Sequence, residues 1–309
     1  RVLDLAREAT SSDFVSSVRL ESSNSSTSDV TIKAVPMVLF LLGVLPWPWA
    51  RTRCPVFSMI YQCLVRMVIL AAGVYFIANI AQEMDGAAWE VHGTALLSQL
   101  PLPIGAILGL ATFMLAKRSE RLEETFRLLR MVADERGFHD RQRRLPRVPA
   151  VVCCTLWLCS VAGRLHDLAH SADDREGVQY GQVLHSVLFA MFSGAILGLS
   201  FCMLCVCRSL NTLIDRFCCD AIDSIPLSEI AHAWNLTQAV IRKASEAIEQ
   251  CLLAFGLVVA IAMPLTMADL VAIGRNDRAS ASPSFFVACG VLYATLTAAT
   301  VSQKCARVP

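Results

Sequence analysis

A few ionisable side chains lie inside long apolar runs, where chemistry or binding would have to start. They are Arg66, His185 and Asp269. Each costs about 2.5–3.5 kcal/mol at a bilayer centre on insertion scales, so such residues mark cavities, partners or interfaces. Arg66 reads as snorkelling or as paired within a bundle. His185 and Asp269 fit either the polar lining of a water-filled cavity or interfacial placement. "RLHDLAH" (164–170) adds an Arg, an Asp and two His at the end of another apolar run. A proton-relay transporter would need more such residues in register, and none are evident.

Thirteen cysteines are the other reactive group. Cys153, Cys154, Cys159, Cys202, Cys205, Cys251 and Cys289 fall within apolar runs, and Cys207, Cys218 and Cys219 follow one. No His-rich flank or paired Cys-x-x-Cys framework accompanies them, so neither zinc nor another metal is expected. They read as buried thiols acting as small hydrophobes. Acylation at Cys207, Cys218 or Cys219 is a weaker alternative. There is no Gly-rich phosphate loop, nucleophile elbow or cofactor motif, so the chain reads as a non-enzyme without cofactor.

Composition says what must position these groups. Of the 309 residues 55% are hydrophobic and 17% charged, and mean hydropathy is +0.53. Soluble domains carry about 25% charged residues, so an integral membrane protein is expected. About 20 apolar residues cross a bilayer. Six segments qualify: 56–82, 93–117, 148–169, 180–207, 247–273 and 284–303. A seventh, 34–50, is short and interrupted by Pro36, Pro46 and Pro48, which favours a re-entrant or interfacial segment. Residues 1–33 are Ser-rich and polar, read as a disordered cytoplasmic N-terminus without a signal peptide. Residues 304–309 read as a tail. The fold class is an all-α polytopic transmembrane bundle.

Lysines and arginines between the spans alternate. There are six in 1–55, none in 83–92, ten in 117–147, two in 164–176, four in 208–246, two in 274–283 and two after 303. The positive-inside rule therefore places the N-terminus in the cytosol. It also accounts for "HDRQRRLPR" (139–147) as a cytoplasmic loop; with a net charge of +1, nucleic-acid binding is not expected. Two cytoplasmic segments read as helices. In 117–136, Leu122, Phe126, Leu129 and Val132 share a face, with Glu123 and Arg127 as an i,i+4 pair. In 226–250, Ile230, Trp234, Ile241 and Ile248 form one stripe that should run unbroken into the fifth span. Such stripes need partners, either one another or other subunits.

Some matches mislead. "DRF" (215–217) is similar to the acid-Arg-aromatic motif of G-protein-coupled receptors, but it follows the fourth span rather than the third. Asn24 and Asn235 occupy glycosylation sequons that would stay unmodified with the N-terminus inside.

Three places together resemble the arthropod gustatory receptors, relatives of the insect odorant receptors: "LFLLGVLPW" (39–47), "CRSLNTLIDRF" (207–217) and "LSEIAHAWNLTQAVIRKASEAIEQCLLAFG" (227–256). They resemble the Gly-Leu-Pro segment before that family's first span, the exit of its fourth span, and the cytoplasmic helix entering its fifth. The family's Thr-Tyr…Gln-Phe motif is not matched, since Tyr293 and Gln303 lie ten apart and no Phe follows. Residues 284–303 therefore correspond to the sixth span, and a sequence truncated before the seventh is expected. The resemblance implies a plasma-membrane, tetrameric, ligand-gated cation channel, homomeric or heteromeric with related subunits. It also implies a small-molecule tastant bound in the outward half. By position that cavity would be lined by Trp157, Tyr180, His185 and Phe189, with Asp269 and Phe285 or Phe286. Helices 117–136 and 226–250 would hold subunits together. A G-protein-coupled receptor is the alternative reading and a small-molecule transporter the third.

Overall fold

The computed structural model describes residues 37–39, 41–42, 55–84, 99–114, 124–129, 147–173, 180–222, 227–272 and 282–307. Six long helices carry the fold: α1 (Pro55–Met84), α2 (Pro101–Met114), α3 (Arg147–Asp173), α4 (Tyr180–Ile222), α5 (Leu227–Ala272) and α6 (Ser282–Arg307). Apart from the turn residues Leu42 and Leu100 the described residues are helical, with no strand among them. Residues 1–33 lie outside the described set.

Five helices are long and apolar enough to cross a membrane, over Met59–Gln82, Val148–Ala169, Gly181–Cys219, Ala233–Ala268 and Pro283–Arg307. The chain therefore has the character of a multi-pass membrane protein. Prolines set several helix starts: Pro55 opens α1, Pro101 opens α2, and Pro283 follows Ser282 at the start of α6. Proline is tolerated in a first turn because its missing N–H has no intrahelical acceptor there.

Of the segment expected to span at 93–117, residues 93–98 and 115–117 lie outside the described set. Its described helix α2 has 14 residues, about 21 Å at 1.5 Å per residue. Pro101 and Pro103 both fall in its first turn, where a missing N–H breaks no intrahelical bond.

α4 is the axis of the bundle. Of its apolar window 72% is buried, against 17% for α3 and 22% for α1. It touches every other long helix. A helix that is apolar all round is one the bundle encloses. Apolar side chains do not prefer each other over lipid tails, so close packing holds such helices together. Gly109 of α2 receives the Phe255 ring of α5, and Gly290 of α6 receives Leu197 of α4; a methyl group at either glycine would collide with those side chains. Gly198 receives Val38 and Leu42. The described part of the expected re-entrant segment 34–50 is thus a helical turn on α4 with Leu39 fully buried.

Hydroxyls inside the spans mostly bond to their own helix. Thr112 donates to Gly109 O, Thr237 to Ala233 O, Thr266 to Met263 O and Thr297 to Tyr293 O. This is how a polar side chain is satisfied where water is missing.

α4 has 43 residues and α5 has 46, so each is about 65–69 Å long. Helix α4 continues past the expected end at 207 because its polar residues find partners on α6. Helix α5 runs through both 226–250 and 247–273 with no break at Pro264. α6 continues to Arg307, so the first residues of the expected tail are helical. Within 117–136, the described residues 124–129 are helical. Lys243 of α5 anchors them by donating to Glu124 at 2.5 Å.

Candidate functional site

The site forms where α1, α3 and α4 meet near the start of α4. Helices α3 and α4 are antiparallel neighbours, with Trp157 opposite Ala190 and Arg164 opposite His185. One turn into α4, His185 is half-buried. Its ring stacks on Phe76 of α1 with centroids 4.3 Å apart and planes 14° from parallel. Phe76 is fully buried, and its edge contact with Phe192 at 5.8 Å fixes its plane. The imidazole is thereby held with its Nδ1 towards α3, where Arg164 Nη2 lies 2.5 Å away. Arginine has donors only, so Nδ1 must accept and the ring proton sits on Nε2. The contact selects a neutral imidazole.

Beside this pair lies a cleft of about 90 Å³ lined by Arg164, Asp167, Leu168, Gln182 and Ser186. It brings together a cation, a carboxylate, an amide and a hydroxyl. Its volume suits a few waters, since one water needs at least about 10–15 Å³ of such space. Drug-sized ligands occupy roughly 300–1,000 Å³. Ser186 Oγ donates to Gln182 O. Deeper, Trp157 Nε1 donates to Ala190 O at 3.1 Å and its ring covers Gly194. Ser160, fully buried on α3, donates to Pro283 O at the start of α6.

The residues expected to line a ligand cavity separate into groups. His185 belongs to the cleft. Phe189, one turn further along α4, is buried in the core. Trp157 lies at the exposed margin of the α3–α4 pair. Phe285 and Phe286 are half-buried and meet each other edge to face at 6.3 Å. Tyr180 starts α4 and Asp269 lies near the end of α5; their side chains fall outside the described set. Phe76, Gln182 and Ser186 enter the site unforeseen. No motif marks them, and only helix packing brings 76 beside 185.

The stripe expected on α5 is occupied within the chain. Trp234 packs on Phe217 of α4 with centroids 4.9 Å apart, Ile248 is buried, and Ile241 packs against the core. Ile230 is half-buried.

A second polar set joins α4 to α6, which run parallel. Arg208 Nη2 donates to the Tyr293 hydroxyl at 2.6 Å, Asn211 Nδ2 to Thr300 Oγ1 at 3.4 Å, and Lys304 Nζ to Asp215 at 2.7 Å. The Asp-Arg-Phe run thus contributes a structural ion pair through Asp215 and a packed ring through Phe217.

Five cysteines, Cys153, Cys202, Cys205, Cys207 and Cys251, are buried small hydrophobes. Cys63, Cys154 and Cys219 are exposed instead, because they occupy outward faces of α1, α3 and α4. Among the described residues no cluster of His, Cys, Asp or Glu could hold a metal ion.

No protein-family model matches the chain, and no curated protein or solved structure is similar to it at a significant level.

Proposed function

We propose that the chain is a chemosensory receptor subunit of the gustatory type, a small-molecule ligand-gated cation channel of the plasma membrane with its N-terminus in the cytosol. The observation that carries the reading is the length of α4 and α5. Each exceeds a hydrocarbon core of about 30 Å by more than 30 Å. The excess lies towards the end where α4 finishes at Ile222 and α5 begins at Leu227. On the same side Glu124 meets Lys243; it belongs to the stretch 117–147, whose ten basic residues the positive-inside rule assigns to the cytosol. A projecting pair of long helices there suits subunit association.

The opposite end holds the Arg164–His185 cleft, open to small polar solutes in this orientation. At about 90 Å³ it admits an organic ligand only as α3 and α4 part. Gating by such a ligand is a shift of population towards the parted state, which it must bind better than the closed one.

Glycosylation mapping in microsomes tests the topology. Asn24 should stay unmodified while a sequon engineered into 83–92 is modified. Patch-clamp recording from cells expressing the chain, with sugars and alkaloids as probes, then tests for ligand-evoked cation current. A glycosylated Asn24 overturns the reading and favours a G-protein-coupled receptor.

A further inference from the structure

We propose that His185 is a proton-binding site that unlatches α3 from α4. This role rests only on the geometry at the start of α4 and stands whether or not the chain is a receptor. Three helices meet at one imidazole: α1 supplies the Phe76 face at 4.3 Å, α3 the Arg164 guanidinium at 2.5 Å, and α4 the ring itself. The charged groups described around it are Arg164 and Asp167, both on α3; α1 meets the ring with Phe76, which carries no charge.

A proton on Nδ1 removes the acceptor that Arg164 uses. It also sets two cations at hydrogen-bond distance. The stack on Phe76, itself held by Phe192, keeps the protonated ring beside Arg164. The protonated state is therefore the separated one, with Arg164 turned into the cleft towards Asp167, Gln182 and Ser186. Deeper in the hairpin, the Trp157–Ala190 bond and the ring seated on Gly194 contain no titratable group and stay made. Acid thus opens the cleft end of the α3–α4 pair about a hinge two turns away.

The test uses the full chain in lipid nanodiscs with ¹⁵N,¹³C-labelled histidine and phenylalanine. His185 is assigned through its through-space coupling to Phe76. At about pH 8 the ring should carry its proton on Nε2; by about pH 4 both nitrogens should be protonated, with the ring still stacked on Phe76 and the Arg164 guanidinium withdrawn from it. Thermal unfolding should fall by at least about 2–4 °C over that interval in the unaltered chain, and by less than half as much in H185Q. R164Q, which removes the facing cation, should abolish the acid sensitivity in the same way. It carries the comparison if H185Q does not fold. A proton on Nδ1 at pH 8, or an equal acid-induced fall in the unaltered chain and the folded variants, overturns the proposal.

Discussion

Arg208 and Tyr293, 85 positions apart, are joined by a 2.6 Å hydrogen bond from the guanidinium to the phenol oxygen. The bond ties the half-buried middle of α4 to α6 at the level where the apolar part of α4 gives way to polar residues. Tyr293→Phe leaves the ring in place and removes the acceptor of a charged donor. Losing such a partner costs about 1–3 kcal/mol. Reversible unfolding in mixed micelles should register that loss, and stability equal to the unaltered chain would mean the bond contributes nothing net.

Close packing at glycine predicts a contrast between two sites. Gly109→Val places branched methyls where the Phe255 ring now sits, and overpacking of this kind costs about 1–3 kcal/mol. Gly256→Ala faces open space on α5 and should be neutral or stabilising by up to about 1 kcal/mol, through helix propensity. Thermal unfolding of the two variants side by side is the check. A Gly109→Val chain as stable as Gly256→Ala would contradict the seating of α2 on α5.

The Lys243–Glu124 pair predicts coupling between α5 and the segment 124–129. Both side chains are about a third exposed, at 33% and 39%, so the interaction should be modest, about 0.2–1 kcal/mol. A double-mutant cycle with Glu124→Gln and Lys243→Met isolates the pair. A coupling energy of zero would show that these residues approach without holding the segment.

Cysteine accessibility distinguishes burial from orientation. Cys202 and Cys251 are enclosed and should resist maleimides until the chain unfolds. Cys63 and Cys154 face outward within membrane spans, where lipid keeps water-soluble reagents from the thiol, so they should react slowly. Cys219, exposed at the projecting end of α4, should react fastest with a membrane-impermeant reagent once the cytosolic side is opened. Labelling of Cys219 in intact cells would reverse the proposed orientation.

The sequence by itself determined the class of this protein. Long apolar runs in a bilayer have one low-energy backbone solution, the helix, because every N–H and C=O must be bonded within the segment. That constraint made the α1, α3, α4, α5 and α6 spans legible from hydropathy alone, and prolines marked where several of them begin. Hydropathy marked 93–117 as one run, of which the described helix α2 covers Pro101–Met114.

Only the tertiary structure decided which faces meet. In an apolar helix every face looks alike to a hydropathy scale, so nothing in the chain said that α4 is central or that Trp157 lies at its margin. The same holds for the α5 stripe, where Trp234 packs on Phe217 within the chain. His185 was legible as an ionisable group out of place; Arg164 and Phe76 as its partners were not. Their pairing depends on the crossing of three helices, set by how glycines and bulky side chains interdigitate. That is a property of surfaces packed together, to which residues 76, 164 and 185 contribute from separate parts of the sequence.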